Sequence, residues 1–251
     1  MIDIHTHILP QIDDGSKNVE TSLKMLEAER AQGVKEVVLT SHYYGRKRSP
    51  QQFLEMRDAA YARIAQQIPD GLKIRLGAEV HFTGLNLPSH EALCSLAIEG
   101  TESILFEFPF TEKWDSRLID ALADFIYETD YMPIVAHIER YQEVLKNPSL
   151  ITQLINMGCL IQVNARSFID KRTRNLAFAL LKRDMVHCIA SDAHDTRTRS
   201  TDLLPAKTAI EQAGLSAAWA RVQSITAEIL SGKKLCFKTE AKVKKFFGMY
   251  F

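Results

Sequence analysis

Residues 1–16 read MIDIHTHILPQIDDGS, and the fold is decided by how this stretch is parsed. The short run at 2–4, with two isoleucines, has the make-up of a buried strand. His5 and His7 stand at its carboxyl end. Residues i and i+2 of a strand point to one face, so both imidazoles can reach a single ion. Asp13, Asp14 and Gly15 follow in the loop just beyond.

Outward from this unit the same arrangement recurs. Short runs at 36–40, 73–80, 104–108, 133–136, 160–163 and 187–190, mostly β-branched or aromatic, read as buried strands. Helical patterns fill the intervals at 19–32, 51–67, 116–129, 149–157 and 173–183, and a longer one spans 203–230. In the first, Val19, Leu23 and Leu26 fall at i, i+4 and i+7, and Gly33 ends it. Strand followed by helix, repeated, is the signature of a parallel sheet. Seven such strands fit an α/β fold of the distorted (β/α)7 TIM-like barrel type better than an open doubly wound sheet. No Gly/Ser/Pro-rich linker and no internal repeat divides residues 1–251, so one domain is expected. The stretch 238–251, KTEAKVKKFFGMYF, is a basic and aromatic tail. It is expected to pack on a neighbour or stay mobile, with membrane or partner docking as the alternative.

Composition narrows the class. The 251 residues, 46% of them hydrophobic, suffice for a large single core of the size that α/β barrels use. The 31 basic and 31 acidic residues cancel to +0, which argues against a general nucleic-acid or membrane-surface binder. Cys94, Cys159, Cys188 and Cys236 form no CxxC pair, so neither a thiolate zinc site nor a disulfide framework is expected, and a reducing cytosol is favoured. No basic n-region with an apolar h-region opens the chain, and no apolar run approaches the roughly 18 residues of a membrane span. The expectation is a soluble cytoplasmic protein.

The chemistry lies at the strand ends. Beyond His5, His7 and Asp14, the second strand ends in Thr40-Ser41-His42, and the third carries Glu79. The fourth carries Glu107, the fifth leads to His137, and the seventh ends in Ser191-Asp192-Ala193-His194. The sixth ends in Asn164, without an obvious ligand. Barrel enzymes assemble their sites at this face from several strands. Singly, a histidine such as His42 at a strand end is ordinarily a hydrogen-bonded structural residue. Glu107, inside the apolar ILFEFPF, must have a partner. Jointly, these buried acids and imidazoles require compensating positive charge, which divalent ions supply. Nine ligands exceed the needs of one ion, so two or three are expected, with Glu107 as the bridging carboxylate. A nitrogen and oxygen set without thiolate suits Mn, Fe or Zn. His81, His90 and His187 are read as structural.

Arg140, in AHIER, and Arg199, in DTRTRS, bring guanidinium forks beside that cluster, the geometry that binds phosphate oxygens. Arg197 competes with Arg199 for the role. Arg46, Lys47 and Arg48 form a basic loop that either attracts an anionic substrate or is simply solvated.

MIDIHTHILPQIDDGS, TSH, GAEVHF, LFEFPF, VAHIERY and ASDAH together resemble the PHP (polymerase and histidinol phosphatase) superfamily. They are most similar to its bacterial manganese-dependent protein-tyrosine phosphatases of capsule and exopolysaccharide operons. The resemblance runs from residue 1 to about residue 200. It implies a (β/α)7 barrel of the PHP type with a trinuclear Mn2+ site at its C-terminal face. Position by position, the implied ligands are His5, His7, Asp14, His42, Glu79, Glu107, His137, Asp192 and His194. Arg140 and Arg199 match the phosphate-binding arginines. Ile138 departs from the proline common in the wider superfamily, leaving His137 and Arg140 in register. The implied reaction is metal-assisted hydrolysis of protein phosphotyrosine, with His42 or His194 able to protonate the leaving phenolate. The implied partner is an autophosphorylated tyrosine kinase of polysaccharide synthesis. A histidinol-phosphate or other small-molecule phosphatase would use the same ligands. A metal-dependent amidohydrolase or deaminase has no use for two phosphate-binding arginines, and a non-catalytic metal module would not need so full a ligand set. No cysteine stands in a CxxxxxR loop, so cysteine-nucleophile chemistry is disfavoured.

Overall fold

The computed structural model describes residues 1–85, 87–111, 113–246, 249 and 250, the side chains of 246 and 249 excepted. Strand and helix alternate as the apolar runs require. β1 (Ile2–Thr6) leads to α1 (Val19–Ala31), β2 (Glu36–Leu39), β3 (His42–Tyr43) and α2 (Pro50–Ala62). β4 (Lys73–Leu76), β5 (Glu79–His81), α3 (His90–Cys94), β6 (Ser103–Glu107) and α4 (Ser116–Glu128) follow. Next come β7 (Met132–Val135), α5 (Gln142–Lys146), α6 (Ser149–Met157), β8 (Leu160–Asn164) and α7 (Arg174–Leu181). β9 (Cys188–Ala190), α8 (Leu203–Gln212) and α9 (Ser216–Leu230) complete the body. β10 (Lys245–Phe246) and β11 (Met249–Tyr250) pair antiparallel in the tail.

Strand pairing in the body is parallel, in the orders β1-β2-β4 and β3-β5-β6-β7-β8-β9. The two segments are stitched together. Thr40 N donates to Thr6 O, and Glu79 N to Thr40 O and Ser41 O. At the far side Asp192 N donates to His5 O and His7 N to Ala193 O, each at 2.9 Å. The outcome is one curled parallel sheet. The runs at 36–40 and 73–80, expected to be single strands, are where the curl is made. The run at 36–40 forms β2, which pairs with β1, and the chain then turns into the two-residue β3. The run at 73–80 breaks at 77–78 into β4, which pairs with β2, and β5, which pairs with β3 and β6. Gly77 stands at one break, where an added Cβ would lie 3.4 Å from Val38, Thr40 and Ile98 side chains.

Local signals account for the helices. Asn18 caps α1 by accepting from Thr21 N, and Ser49 and Gln52 form a capping box ahead of α2 with Pro50 in its first turn. Gly158, at φ 114°, ends α6. The stretch at 203–230, expected as one helical run, is two helices because Gly214 sits at φ 75° between them. Five-residue helices such as α3 and α5 are too short to leave a period in the sequence.

The main core lies between sheet and helices and includes Leu26, Phe53, Phe106, Leu122, Phe125 and Leu180. A second cluster joins Ile4, Val38, Leu105, Ile134 and Leu160 to Ile225 and Ile229 of α9. Each such side chain contributes about 1.5–3 kcal/mol by leaving water. The tail packs on α6, whose Thr152 Oγ1 and Asn156 Nδ2 donate to Ala241 O and Thr239 O. Residues 247, 248 and 251 of that tail lie outside the described residues. All four cysteines are free. Among the described residues no helix is long and apolar enough to cross a membrane.

Candidate metal centre and catalytic cavity

The expected residues come together at the carboxyl ends of the strands. His5 lies on β1 and His7 one residue past it; His42 opens β3; Glu79 opens β5 and Glu107 ends β6; His137 follows β7; Asp192 and His194 follow β9. Their ligand atoms fall into four overlapping groups: His7, Asp14, His42 and His194; His5, Glu79 and His137; His5, His7 and Asp192; His42, Glu79 and Glu107.

The ring orientations are informative. His5 Nδ1 donates to Gln162 Oε1 (3.2 Å), His7 Nδ1 to Asp13 Oδ2 (2.8 Å) and His194 Nδ1 to Asp192 O (2.9 Å). In each ring the Nδ1 proton is committed and the Nε2 lone pair is turned inward, the usual outer support of a metal-binding imidazole. His5 Nε2 and His7 Nε2 are 3.2 Å apart, and Glu79 Oε2 lies 3.3 and 3.2 Å from them. Two ligands each about 2.1 Å from an ion, at roughly 100°, sit about 3.2 Å from each other. Glu79 Oε2, His42 Nδ1, His137 Nδ1 and His194 Nε2 are buried without a hydrogen-bond partner. Although Glu79 Oε2 and His42 Nδ1 are 2.9 Å apart, they are not aligned for a hydrogen bond. These residues therefore fit divalent ions.

The electrostatics agree. Burial opposes charge on His7, but Asp13 outweighs it and lifts the imidazole to about 9. His42 is likewise opposed by burial, yet Glu79 and Asp14 raise it to about 11. Burial would neutralise Glu79 and Asp192, but His5 and its neighbouring imidazoles hold both carboxyls below the usual range. Within the cluster His194 is driven down, to about 3, by burial and by His7, whose ring centroid is 3.8 Å away. Protons on His7 and His42 balance carboxylates that bound cations would otherwise balance.

Backbone strain concentrates here as well. His137 (φ 32°) and Asp192 (φ 56°) occupy the left-handed region. Such residues cost of order 1–3 kcal/mol each and persist where surroundings hold them. His137 N is held by Gln162 Oε1 (2.7 Å), and Asp192 N by His5 O.

The cluster opens into a cavity of about 300 Å3 lined by Tyr44, His81, Phe110, Arg140 and Arg199 together with ligand-type residues. Arg140 Nη1 donates to Asp192 Oδ2 (2.9 Å) and Arg199 Nη2 to Asp192 Oδ1 (3.0 Å). Arg197 is exposed and does not line this cavity. The model of the family described as "Capsular polysaccharide synthesis, CpsB/CapC" matches residues 1–228. The chain belongs to the CpsB/CapC family. It is 32% identical over 206 residues to the tyrosine-protein phosphatase YwqE of Bacillus subtilis, covering 80% of each chain. It is 32% identical over 212 residues to the tyrosine-protein phosphatase CpsB of Streptococcus pneumoniae, covering 79% of this chain and 85% of that one. A crystal structure described as one of YwqE and CpsB, "unique metal-dependent tyrosine phosphatases", superposes with a TM-score of 0.84 at 27% identity. It covers 98% of this chain and 100% of that one. A β-aspartyl dipeptidase from Fervidobacterium islandicum shares the fold alone, at a TM-score of 0.54 and 13% identity.

In this CpsB/CapC member several side chains stand differently from what their sequence positions imply. Glu107 was the expected bridge, but Glu79 occupies the centre: its Oε2 faces His5, His7 and His42, and its Oε1 accepts from His137 Nε2 at 2.8 Å. Glu107 stands at the rim, 3.3 Å from His81 Nδ1. His81, read as structural, lines the cavity. His187 and His90 are structural: His187 Nδ1 accepts from Ile161 N, and His90 pairs with Glu128. Asp13 was passed over for its neighbour, yet it orients His7 and accepts from His42 N. The sixth strand line, without an expected ligand, supplies a relay instead. Gln162 Nε2 donates to Asn164 Oδ1, and Asn164 Nδ2 to Asp192 Oδ2. Their i, i+2 spacing in a buried strand was the available signal.

Proposed function

We propose that this chain is a metal-dependent protein-tyrosine phosphatase that hydrolyses phosphotyrosine on a protein of capsular or extracellular polysaccharide synthesis. The observation that carries this reading is the meeting of two guanidiniums with the imidazole and carboxylate cluster at one cavity, Arg140 and Arg199 both resting on Asp192. The names of the similar proteins, YwqE and CpsB, support the same reaction. The nine ligands are His5, His7, Asp14, His42, Glu79, Glu107, His137, Asp192 and His194, holding two or three ions, Mn2+ first among Mn, Fe and Zn.

Bound divalent ions supply an activated water and positive charge to the phosphoryl oxygens. The chain's own residues do the rest. Arg140 and Arg199 donate to the non-bridging oxygens, where charge changes as the ester bond breaks. Tyr44 and Phe110 give the cavity aromatic walls suited to a phenyl leaving group. His42 lines the cavity and is the more accessible proton donor to the phenolate, a role open to it only while it is not held by an ion, whereas His194 is 3% exposed. Residues 1–251 act as one domain. Its seven strand lines close as a distorted (β/α)7 barrel of the PHP type, supported by the β1 to β9 hydrogen bonds. The free cysteines favour the cytoplasm, and a tyrosine kinase autophosphorylated on tyrosine is the partner.

The test is turnover of a phosphotyrosyl peptide by metal-loaded protein, with histidinol phosphate and an acyl dipeptide alongside. Peptide turnover that chelation abolishes is expected. Preference for histidinol phosphate would favour the small-molecule phosphatase, and dipeptide cleavage an amidohydrolase.

A further inference from the structure

A second groove, of about 580 Å3, opens beside the catalytic cavity and shares Arg140, Asp192 and Arg199 with it. Its volume falls in the roughly 300–1,000 Å3 range of ligand sites. Its outer wall carries Arg166 and Arg172. Arg166 lies on the 3-10 turn Ala165–Phe168 that follows β8, and donates to Thr198 O (2.9 Å) and Asp202 Oδ2 (3.2 Å). Arg172 lies in the next turn, held by Asp170 through bonds of 3.2 and 2.8 Å. These contacts fix the two forks without covering them, since their side chains remain 51% and 87% exposed.

The acidic groups of the groove are otherwise occupied. Glu139 is buried and accepts from Asn164 N and Ser167 Oγ. Asp192 is 3% exposed and turned to the metal-type cluster. Asp170 is spent on Arg172. What the groove presents to a solute is therefore the open side of four guanidiniums, two of them shared with the catalytic cavity.

We propose that this groove seats an anionic side chain flanking the scissile phosphotyrosine, so that the enzyme prefers phosphotyrosines in acidic or multiply phosphorylated segments. This rests on the phosphatase reading. With the scissile phosphate on Arg140 and Arg199, an extended chain advances about 3.3–3.6 Å per residue. Residues flanking the phosphotyrosine then enter the groove that Arg166 and Arg172 line. A guanidinium fork accepts carboxylate and phosphate alike, so either anion is a fitting occupant.

The experiment is steady-state kinetics of the metal-loaded protein on phosphotyrosyl peptides of equal length flanked on each side by alanine, aspartate or phosphoserine. p-Nitrophenyl phosphate serves as a substrate without flanks. A kcat/KM for the aspartate or phosphoserine peptides about tenfold above the alanine peptide, carried by KM, is expected. The preference should vanish in R166A/R172A, with p-nitrophenyl phosphate turnover unchanged and the gap narrowing as salt rises. Equal KM for alanine and anionic flanks, or a preference that survives in R166A/R172A, overturns the proposal. If no phosphate ester is hydrolysed, the phosphatase reading fails. Calorimetric binding of the same peptides to wild type and R166A/R172A then still decides the groove.

Discussion

At the scale of single residues, the site rests on groups that differ in what they hold. Glu79 is central, facing His5, His7, His42 and His137, whereas Glu107 stands at the rim. Glu79→Gln is therefore expected to lose turnover and to shed more bound metal than Glu107→Gln, read by elemental analysis of the purified variants. Equal loss in both would return the bridge to Glu107. Asp13→Asn leaves every ligand in place but weakens the acceptor that orients His7. A fall of about 10–100-fold in metal affinity is expected, as for other outer-shell partners, measured by titration against a competing chelator. At this scale the sequence was most legible for side chains whose chemistry is unusual in an apolar run, such as Glu107. It was least legible for choices among neighbours. Asp13 and Asp14 are identical in type, and only the turn of the loop commits one to His7 and leaves the other facing His42.

Elements turn those residues into a site through close backbone approaches. In the loop after β1, Ser16 N donates to His7 O, and Gly15 is packed so tightly that a Cβ would lie 2.1 Å from His7 O and 2.5 Å from His7 Cβ. Gly15→Ala must push the loop that carries Asp13 and Asp14 off its seat. A cost of about 1–3 kcal/mol is expected, with metal affinity and turnover reduced together. An unchanged melting temperature and activity would contradict this reading. Just before β9, burial and Arg221 depress His187 to about 3, while its Nδ1 accepts from Ile161 N. A base depressed in the folded state takes up its proton in the unfolded chain first. Its contribution is whole above the unfolded value of about 6.5 and is lost as pH falls toward 3. By pH 5.5 the loss is about 1.4 kcal/mol. His187→Gln should be less stable at pH 8 but show a flatter decline in melting temperature between pH 7 and 5.5. The strand and helix order was readable because apolar runs and caps are local. The break in the run at 73–80 and the separate short strand at 42–43 were not, because they arise from the curl of the sheet, to which no single run testifies.

For the whole molecule, the cluster gathers four carboxyls and five imidazoles from six strand ends into a mostly buried space. Ions bound there stabilise only the folded chain, by about 2.7 kcal/mol at 100 times Kd. Chelation is thus expected to lower the melting temperature by about 5–10 °C for a domain of this size, and Mn2+ to restore it. A melting temperature indifferent to chelator would mean that the folded state gains nothing from metal. The α/β class was legible from alternation alone, whereas the sewing of β1 to the chain just past β9 was not, since no local pattern reports on a partner so distant in sequence as Asp192 is from His5.

That seam has a consequence for how the protein is made. His5 and His7 leave the ribosome before the other ligands, and β2 can pair with β1 soon afterwards. The other edge of β1 waits for Asp192 and Ala193. At about 5–20 residues per second, this interval is on the order of ten to forty seconds. Throughout it the nascent chain gathers ligands, from His5 and His7 to His137, but has no closed pocket. Assembly of the full ligand set is therefore tied to synthesis through residue 194: a chain stalled before residue 192 exposes ligands yet acquires no catalyst.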